Sequence, residues 1–253
     1  MGYYFCFGDT FSDELGIKVE GTPDIEIAQR DGEQVSIQGK DGDDYIDYGR
    51  YKNVEFSRDI AVVQKGSKTV PEMINKIINE YAYLYGYQYF EDSDHINLST
   101  EAILTNFGEF KRELRRLGRA TLTFSRKPFW YDVTGLQYTD VSLVAAIPTK
   151  IFDNPFKLTA KPIIEITTAG TPTTIQYSIT DADGVETTYS VVSAYTSTIV
   201  IDCEKETVRI DGSGWQDTVV PDGFKPGENT FKLLSGKSVV KSIKIMPRWR
   251  CLI

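Results

Sequence analysis

Residues 174–192 read TIQYSITDADGVETTYSVV. Ile175, Tyr177 and Ile179 alternate with Thr174, Gln176 and Ser178, the period-two pattern of a strand with one buried face. Asp181-Ala182-Asp183-Gly184 is a turn, because Asp side chains bond their own backbone and Gly tolerates left-handed angles. Val185, Tyr189 and Val191 then lie opposite Glu186, Thr188 and Ser190, which completes a hairpin. Moving outward, Ser197–Asp202 and Thr207–Asp211 predict a second hairpin around Cys203-Glu204-Lys205-Glu206. Asn229–Leu234 and Val239–Met246 predict a third around Ser235-Gly236. Short strands at this spacing predict an antiparallel sandwich of roughly 100 residues, placed at 141–246. No internal repeat points to a solenoid or propeller.

The first 140 residues read differently. Turns at Asp31-Gly32, Asp41-Gly42 and Tyr48-Gly49 punctuate strands, and Val54–Val63 is apolar enough for another. Val70, Met73, Ile74, Ile77, Ile78, Tyr81, Leu84 and Tyr85 recur at helical spacing, so an amphipathic helix is predicted over Thr69–Tyr85. Thr69 and Glu72 form a capping box, Pro71 sits in the first turn, and Gly86 ends the helix. A shorter helix is predicted over Phe107–Leu117, with Phe107, Phe110, Leu114 and Leu117 on one face and Gly118 as its cap. Ala120–Phe124 alternates as a strand that stops at Lys127-Pro128. The fold class expected is mostly β with one or two helices: an α+β N-terminal domain over 1–140 and an all-β sandwich.

Composition narrows the function. The chain has 253 residues and a net charge of −8. Residues 1–140 hold 16 Lys and Arg against 24 Asp and Glu, a net of −8, and the remainder holds 12 against 12. All the excess acidity therefore lies in the first part, which disfavours sequence-specific nucleic-acid binding, since phosphate contacts need cations. No stretch reaches the ~20 apolar residues that cross a membrane. The first residues lack the basic and apolar regions of a secretory leader, and Cys6, Cys203 and Cys251 are too few and scattered for a disulfide framework, so synthesis in a reducing compartment is expected.

Catalytic and metal readings fail on spacing. His95 is the single histidine, so a His-rich metal site is impossible and any Ser-His-Asp triad would depend on it. Within Glu91-Asp92-Ser93-Asp94-His95 it reads as a surface or hydrogen-bonded turn residue. Counting a calcium loop from Asp41 puts Ile46 where glycine is needed and Lys52 where a bidentate Glu is needed. The loop from Asp181 ends on Val192 and fails too. Both are read as acidic solvated turns. No phosphate-binding loop, nucleophile elbow or zinc-protease motif occurs, and no local motif supports a glycosidase acid pair. No enzyme activity, cofactor or metal is expected. On the predicted second helix, Arg112, Arg115, Arg116 and Arg119 share a face that reads either as solvated or as docking for an acidic partner, including another copy. The run Tyr81, Tyr83, Tyr85, Tyr87, Tyr89 suits an interface or a core junction equally. Trp215 is a rim residue or a stacking platform for a sugar ring.

Several segments carry a family likeness. IQGKDGDDY at 37–45 with Tyr51-Lys52-Asn53 resembles the N-terminal signature of phage distal tail proteins, the siphovirus-type tail component family. LGRATLTFSRKPFWY at 117–131 resembles the close of that family's N-terminal domain. IDCEKETVRIDG at 201–212, Lys225-Pro226-Gly227-Glu228-Asn229-Thr230 and Pro247-Arg248-Trp249-Arg250 are similar to its second domain and tail. Lys40 stands where the signature carries Arg, which keeps the charge. The likeness spans nearly the whole chain and is greatest to versions from phages of lactococci and related Gram-positive hosts. It implies a homohexameric ring at the distal end of a long non-contractile tail, located in the virion's tail tip or baseplate and made in the bacterial host cytoplasm. It implies a galectin-like or carbohydrate-module-like sandwich. The implied partners are other copies of the chain, the tail tube protein, a tail-associated protein and baseplate or receptor-binding proteins, around a channel for DNA.

Three expectations join the likeness to the residues, beside one competing reading. Gly39, Asp41, Gly42, Tyr48 and Tyr51 belong to a hairpin that pairs with a neighbouring copy and so covers an exposed edge. The acidity of residues 1–140 lies partly on the lumen and keeps DNA from adhering. The tail 247–253 packs back on the N-terminal domain through Trp249 and Leu252, since an apolar end is costly to leave in water. The competing reading is a saccharide-binding module for host recognition, using Trp215, with a hydrolase third.

Overall fold

In a computed structural model of the chain, the described residues are 2–64, 66–114, 116–211 and 214–253. Contacts divide them into two units: residues up to Trp130 together with Leu252–Ile253, and Tyr131–Cys251.

In the first unit the strands are β1 (Phe5–Phe7), β2 (Thr10–Phe11), β3 (Ile17–Val19), β4 (Arg30–Ser36), β5 (Asp43–Tyr51) and β6 (Val54–Val63). Helix α1 (Val70–Tyr81) follows, then β7 (Gln88–Asp92), β8 (Leu98–Asn106), β9 (Lys111–Leu114) and β10 (Leu117–Arg126), and the chain leaves through β11 (Trp130–Asp132). The main sheet runs β2-β1-β7-β8-β10-β6-β3, with β9 on the edge of β10. Val54, Phe56, Ile60 and Val62 point inward from β6, and Ala120, Leu122 and Phe124 from β10. Glu55, Ser57 and Asp59 point out, so period two is legible in both strands. The core is aromatic: Phe56 stacks on Phe124 at 5.2 Å between ring centroids, and Phe7 meets Tyr81 edge-on at 5.4 Å. Helix α1 covers this face with Val70, Met73, Ile74, Ile77 and Tyr81. Its start matches the sequence reading, with the Glu72 carboxylate accepting the Thr69 N–H at 2.8 Å. The helix stops at Tyr81, four residues before the expected end at Tyr85. β7 has to pair Phe90 with Phe7 of β1, so the chain turns early. Leu84 caps Gly8, while Tyr83 and Tyr85 are exposed.

The predicted second helix over 107–117 does not form. The segment is the loop 107–110, strand β9 and the turn into β10, with Gly118 opposite Arg112 and Arg119 opposite Lys111. Two glycines decide it. Gly108 is left-handed (φ +57°), and a Cβ there would lie 2.6 Å from the Thr121 carbonyl oxygen. Gly118 is not a cap; it lets Val70 and Ile74 of α1 approach the strand.

The second unit contains a 3-10 turn at Val133–Leu136, β12 (Thr139–Asp140), β13 (Thr149–Asn154), β14 (Ile163–Ala169), β15 (Thr174–Thr180), β16 (Glu186–Val192), β17 (Thr196–Asp202), β18 (Thr207–Ile210), β19 (Gly214–Gln216), β20 (Gly227–Leu233), β21 (Val240–Met246) and β22 (Arg250–Cys251). Two sheets, β12-β21-β14-β17-β18-β19 and β13-β20-β15-β16, form the sandwich. Ile164, Ile166, Ile199, Ile201, Ile243 and Ile245 of the first meet Ile175, Tyr177 and Phe231 of the second in one core. The hairpins β15–β16 and β17–β18 are as expected. The third is not a hairpin: β20 lies between β13 and β15, and β21 beside β14 in the other sheet. Both strands alternate toward one core, and alternation names a face, not a partner.

Candidate assembly surfaces

Strands β4 and β5 form a two-stranded sheet of their own. Ser36 pairs with Asp43 near the tip and Arg30 with Tyr51 at the base, with a register shift between Arg30 and Gly32. Gly39 and Gly42 take left-handed angles in the turn (φ +85° and +81°). Gly32 is needed for closeness instead, since a Cβ would lie 2.5 Å from the Ile46 carbonyl oxygen. Asp31 is held between Arg50 (2.7 Å) and Lys52 (3.3 Å). Burial raises its pKa, but the hydrogen bonds from these two cations prevail and leave the carboxyl below its usual range. Asp47 is lowered by the Gly49 N–H and by Arg30, and Lys40 pairs with Asp44 at the tip. The hairpin's two broad faces leave Ile37, Tyr45, Ile46 and Tyr48 exposed. The structure thus places Gly39, Asp41, Gly42, Tyr48 and Tyr51 together on one hairpin.

Outside the hairpin, the first unit holds a cluster of buried charge. The Arg126 guanidinium donates to the Glu26 carbonyl at 2.6 Å and to the Ile253 carbonyl at 3.3 Å. Arg58 lies 3.7 Å from both Glu26 and Asp92 and 4.7 Å over the Phe56 ring. Asp92, fully enclosed, accepts from Tyr3 Oη (2.9 Å) and pairs with His95 Nδ1 (2.7 Å). Burial opposes its charge, yet His95 and Tyr3 keep its pKa below the usual range. His95 stacks on Trp130 at 4.1 Å. The sequence reading assigns neither arginine a buried role, although a signal exists: Arg58 and Arg126 occupy inward positions in the alternation of β6 and β10.

The arginine face predicted on a helix at 112–119 has no helix to carry it. Arg112 is on β9, Arg116 is exposed at the turn, and Arg119 on β10 pairs with Glu20 at 2.8 Å. Arg115 lies outside the described residues. Trp249, expected to dock on the N-terminal domain, belongs to the sandwich core. It is 8% exposed in the sandwich core, 5.9 Å from the Phe224 ring and packed against Gly135, where a Cβ would lie 2.7 Å from its indole. Leu252 and Ile253 group with the first unit. Trp215 is on β19, opposite Arg209 and 72% exposed. In the Asp181 turn, Lys225 Nζ lies 2.6 Å from Asp181 and 3.2 Å from Asp183, so a lysine neutralises the carboxylates there. Among the described residues no helix is long and apolar enough to cross a membrane.

No family model and no curated protein matches the sequence. The fold, a mostly β chain with one helix, is that of a phage tail hub protein. A crystal structure of the SPP1 Dit (gp 19.1) protein, described as a paradigm of the hub adsorption apparatus in phages infecting Gram-positive bacteria, matches over 100% of both chains with a TM-score of 0.68. Identity is 14%, so the likeness establishes the fold.

Proposed function

We propose that the chain is the structural hub at the distal end of a long non-contractile phage tail, not an enzyme. The observation that carries this is the match to a hub protein over the whole of both chains. Six copies close a ring that joins the tail tube protein above to the tail-associated protein below. Baseplate and receptor-binding proteins attach around it, and the open centre passes DNA. Residues 1–140 build the ring, and the sandwich decorates it. The acidic excess of that first part keeps the channel from binding the genome. The β4–β5 hairpin supports this reading, because an isolated two-stranded hairpin is marginal in water and its edges invite a neighbour. Head-to-tail contacts of this kind close into rings when the rotation allows.

Negative-stain electron microscopy of concentrated protein, alone and mixed with tail tube protein, tests the proposal. Six-fold rings with an open centre are expected. Absence of rings in both samples, with antibody labelling of virions away from the tail tip, would overturn it.

A further inference from the structure

The two sheets of the sandwich end on β12, β19, β13 and β16, and these edges differ. β12 and β19 are two and three residues long. β16 is capped: the Gln216 side-chain oxygen accepts the Val192 N–H at 3.2 Å, and Thr218 donates to the Ser190 carbonyl at 2.8 Å. β13 has six residues and pairs on one side only, with β20. The Pro148 carbonyl accepts the Leu233 N–H at 2.9 Å, so in the antiparallel alternation Lys150, Phe152 and Asn154 turn their backbone groups to β20. Thr149, Ile151 and Asp153 then each hold an N–H and a C=O toward the open side, with no partner for them among the described residues. Ile151 is 55% exposed on this edge. Val144, Ile147 and Leu234 are exposed at its start, where Lys237 ties the loop down by donating to the Ala145 carbonyl at 2.6 Å. Asp153 and Glu228 stand directly opposite each other, both exposed and neither ion-paired among the described residues. Like charges so placed destabilise a sheet, and a cation beside Asp153 would relieve them.

We propose that this edge binds an extended segment of another protein, added antiparallel as a fifth strand, with a β-branched residue beside Ile151 and a lysine or arginine beside Asp153. The main chain supplies the attraction, through the open N–H and C=O groups, and the side chains supply the choice of partner. The added cation sits against the Asp153–Glu228 pair, and the added aliphatic side chain covers Ile151. Lys150, half-buried on the inner side of the strand, is a charge of the kind that keeps an edge from pairing at random. A second copy of this chain fits worse. Paired antiparallel about Ile151, it brings Thr149 to Asp153 and leaves both acids without a cation. The site lies wholly within the sandwich unit and is independent of ring formation.

The test is a fluorescence-anisotropy titration of full-length protein against the dye-labelled peptide Thr-Lys-Thr-Val-Thr-Val-Thr and its variant with Glu in place of Lys. In the antiparallel sense the first places Lys beside Asp153 and Val beside Ile151. Saturable binding of the Lys peptide is expected, with Kd below about 1 mM, and about fivefold or more weaker binding of the Glu peptide. Ile151→Pro removes an N–H that no ladder bond uses, so Tm should hold within about two degrees while binding of the Lys peptide is lost. Asp153→Lys faces Glu228 with a cation, keeps the fold, and should reverse the preference toward the Glu peptide. No saturable binding of the Lys peptide, undiminished binding in Ile151→Pro, or equal affinity for the two peptides overturns the proposal. Wild-type dimers that Ile151→Pro abolishes would give the edge to a second copy and also overturn it. Rings without peptide binding defeat this inference alone; peptide binding without rings defeats only the hub reading.

Discussion

Ile46 and Tyr48 share one face of β5 and are 45% and 50% exposed in the single chain. If that face is covered in the ring, replacing both by Thr should weaken assembly and spare the fold. Full burial of such a side chain contributes roughly 1.5–3 kcal/mol, so covering the exposed half contributes about 1 kcal/mol each. The double variant then loses about 2 kcal/mol at every contact between copies, roughly a thirtyfold weaker interface. Thr retains strand propensity, so Tm of the isolated chain should stay within a degree or two. Sedimentation velocity across a concentration series reads the shift from ring to single chain, and calorimetry reads Tm. Rings that persist undiminished in Ile46→Thr/Tyr48→Thr at the wild-type threshold would refute the reasoning. So would a large drop in Tm, since it would mean that these side chains support the monomer's own core.

Three further outcomes follow from the packing. Gly32→Ala forces a Cβ to 2.5 Å from the Ile46 carbonyl oxygen, so amide exchange should accelerate across β4 and β5 while β6 and β10 stay protected. Asp92→Asn leaves Arg58 without its enclosed carboxylate and should cost about 3 kcal/mol in urea unfolding at pH 7. The folded pKa of Asp92 is depressed, so its contribution is complete above the unfolded value and fades as pH falls through the folded one. The variant should therefore lose part of the wild-type stability decline at acid pH, and parallel acid limbs would contradict the network. Trp249→Ala should destabilise the sandwich by about 3–5 kcal/mol. Exchange should accelerate in β14, β17 and β21 with α1 unaffected, whereas the opposite pattern would return Trp249 to the first unit.

Helix α1 was legible because its local signals agree: the Thr69 and Glu72 cap, Pro71 in the first turn and an apolar stripe that lands on the core. Residues 107–117 misled because Phe107, Phe110, Leu114 and Leu117 satisfy the same spacing. Nothing local announces that β10 offers a ladder to pair with, and tertiary pairing overrode a short, weak helix. Strand faces in the sandwich were legible from alternation, but the partners of β20 and β21 were not. Trp249 shows the same limit from another side. Its apolarity called for burial, and the sequence does not say in which core. Among the candidate surfaces, the hairpin residues were readable from Gly39 and Gly42. Arg58 and Arg126 were hidden because charge argued against the inward positions their parity assigns.

The hairpin's charges bear on how a single chain could exist before assembly. A nine-residue strand such as β5, with apolar side chains on both faces, is an aggregation hazard when its edge is open. Lys40 and Asp41 in the turn and Asp43, Asp44, Asp47 and Arg50 on the strand are charged, and each must be desolvated or paired before another strand can add. Indiscriminate addition is therefore disfavoured, while a neighbour with matching charges in register is accepted. The internal pairs Lys40–Asp44 and Arg30–Asp47 are exposed, and exposed pairs contribute little to stability. They can be exchanged for contacts with a neighbour at small cost. The proposed ring of identical copies would need this combination: an edge sticky enough to pair, and charged enough to pair in one register.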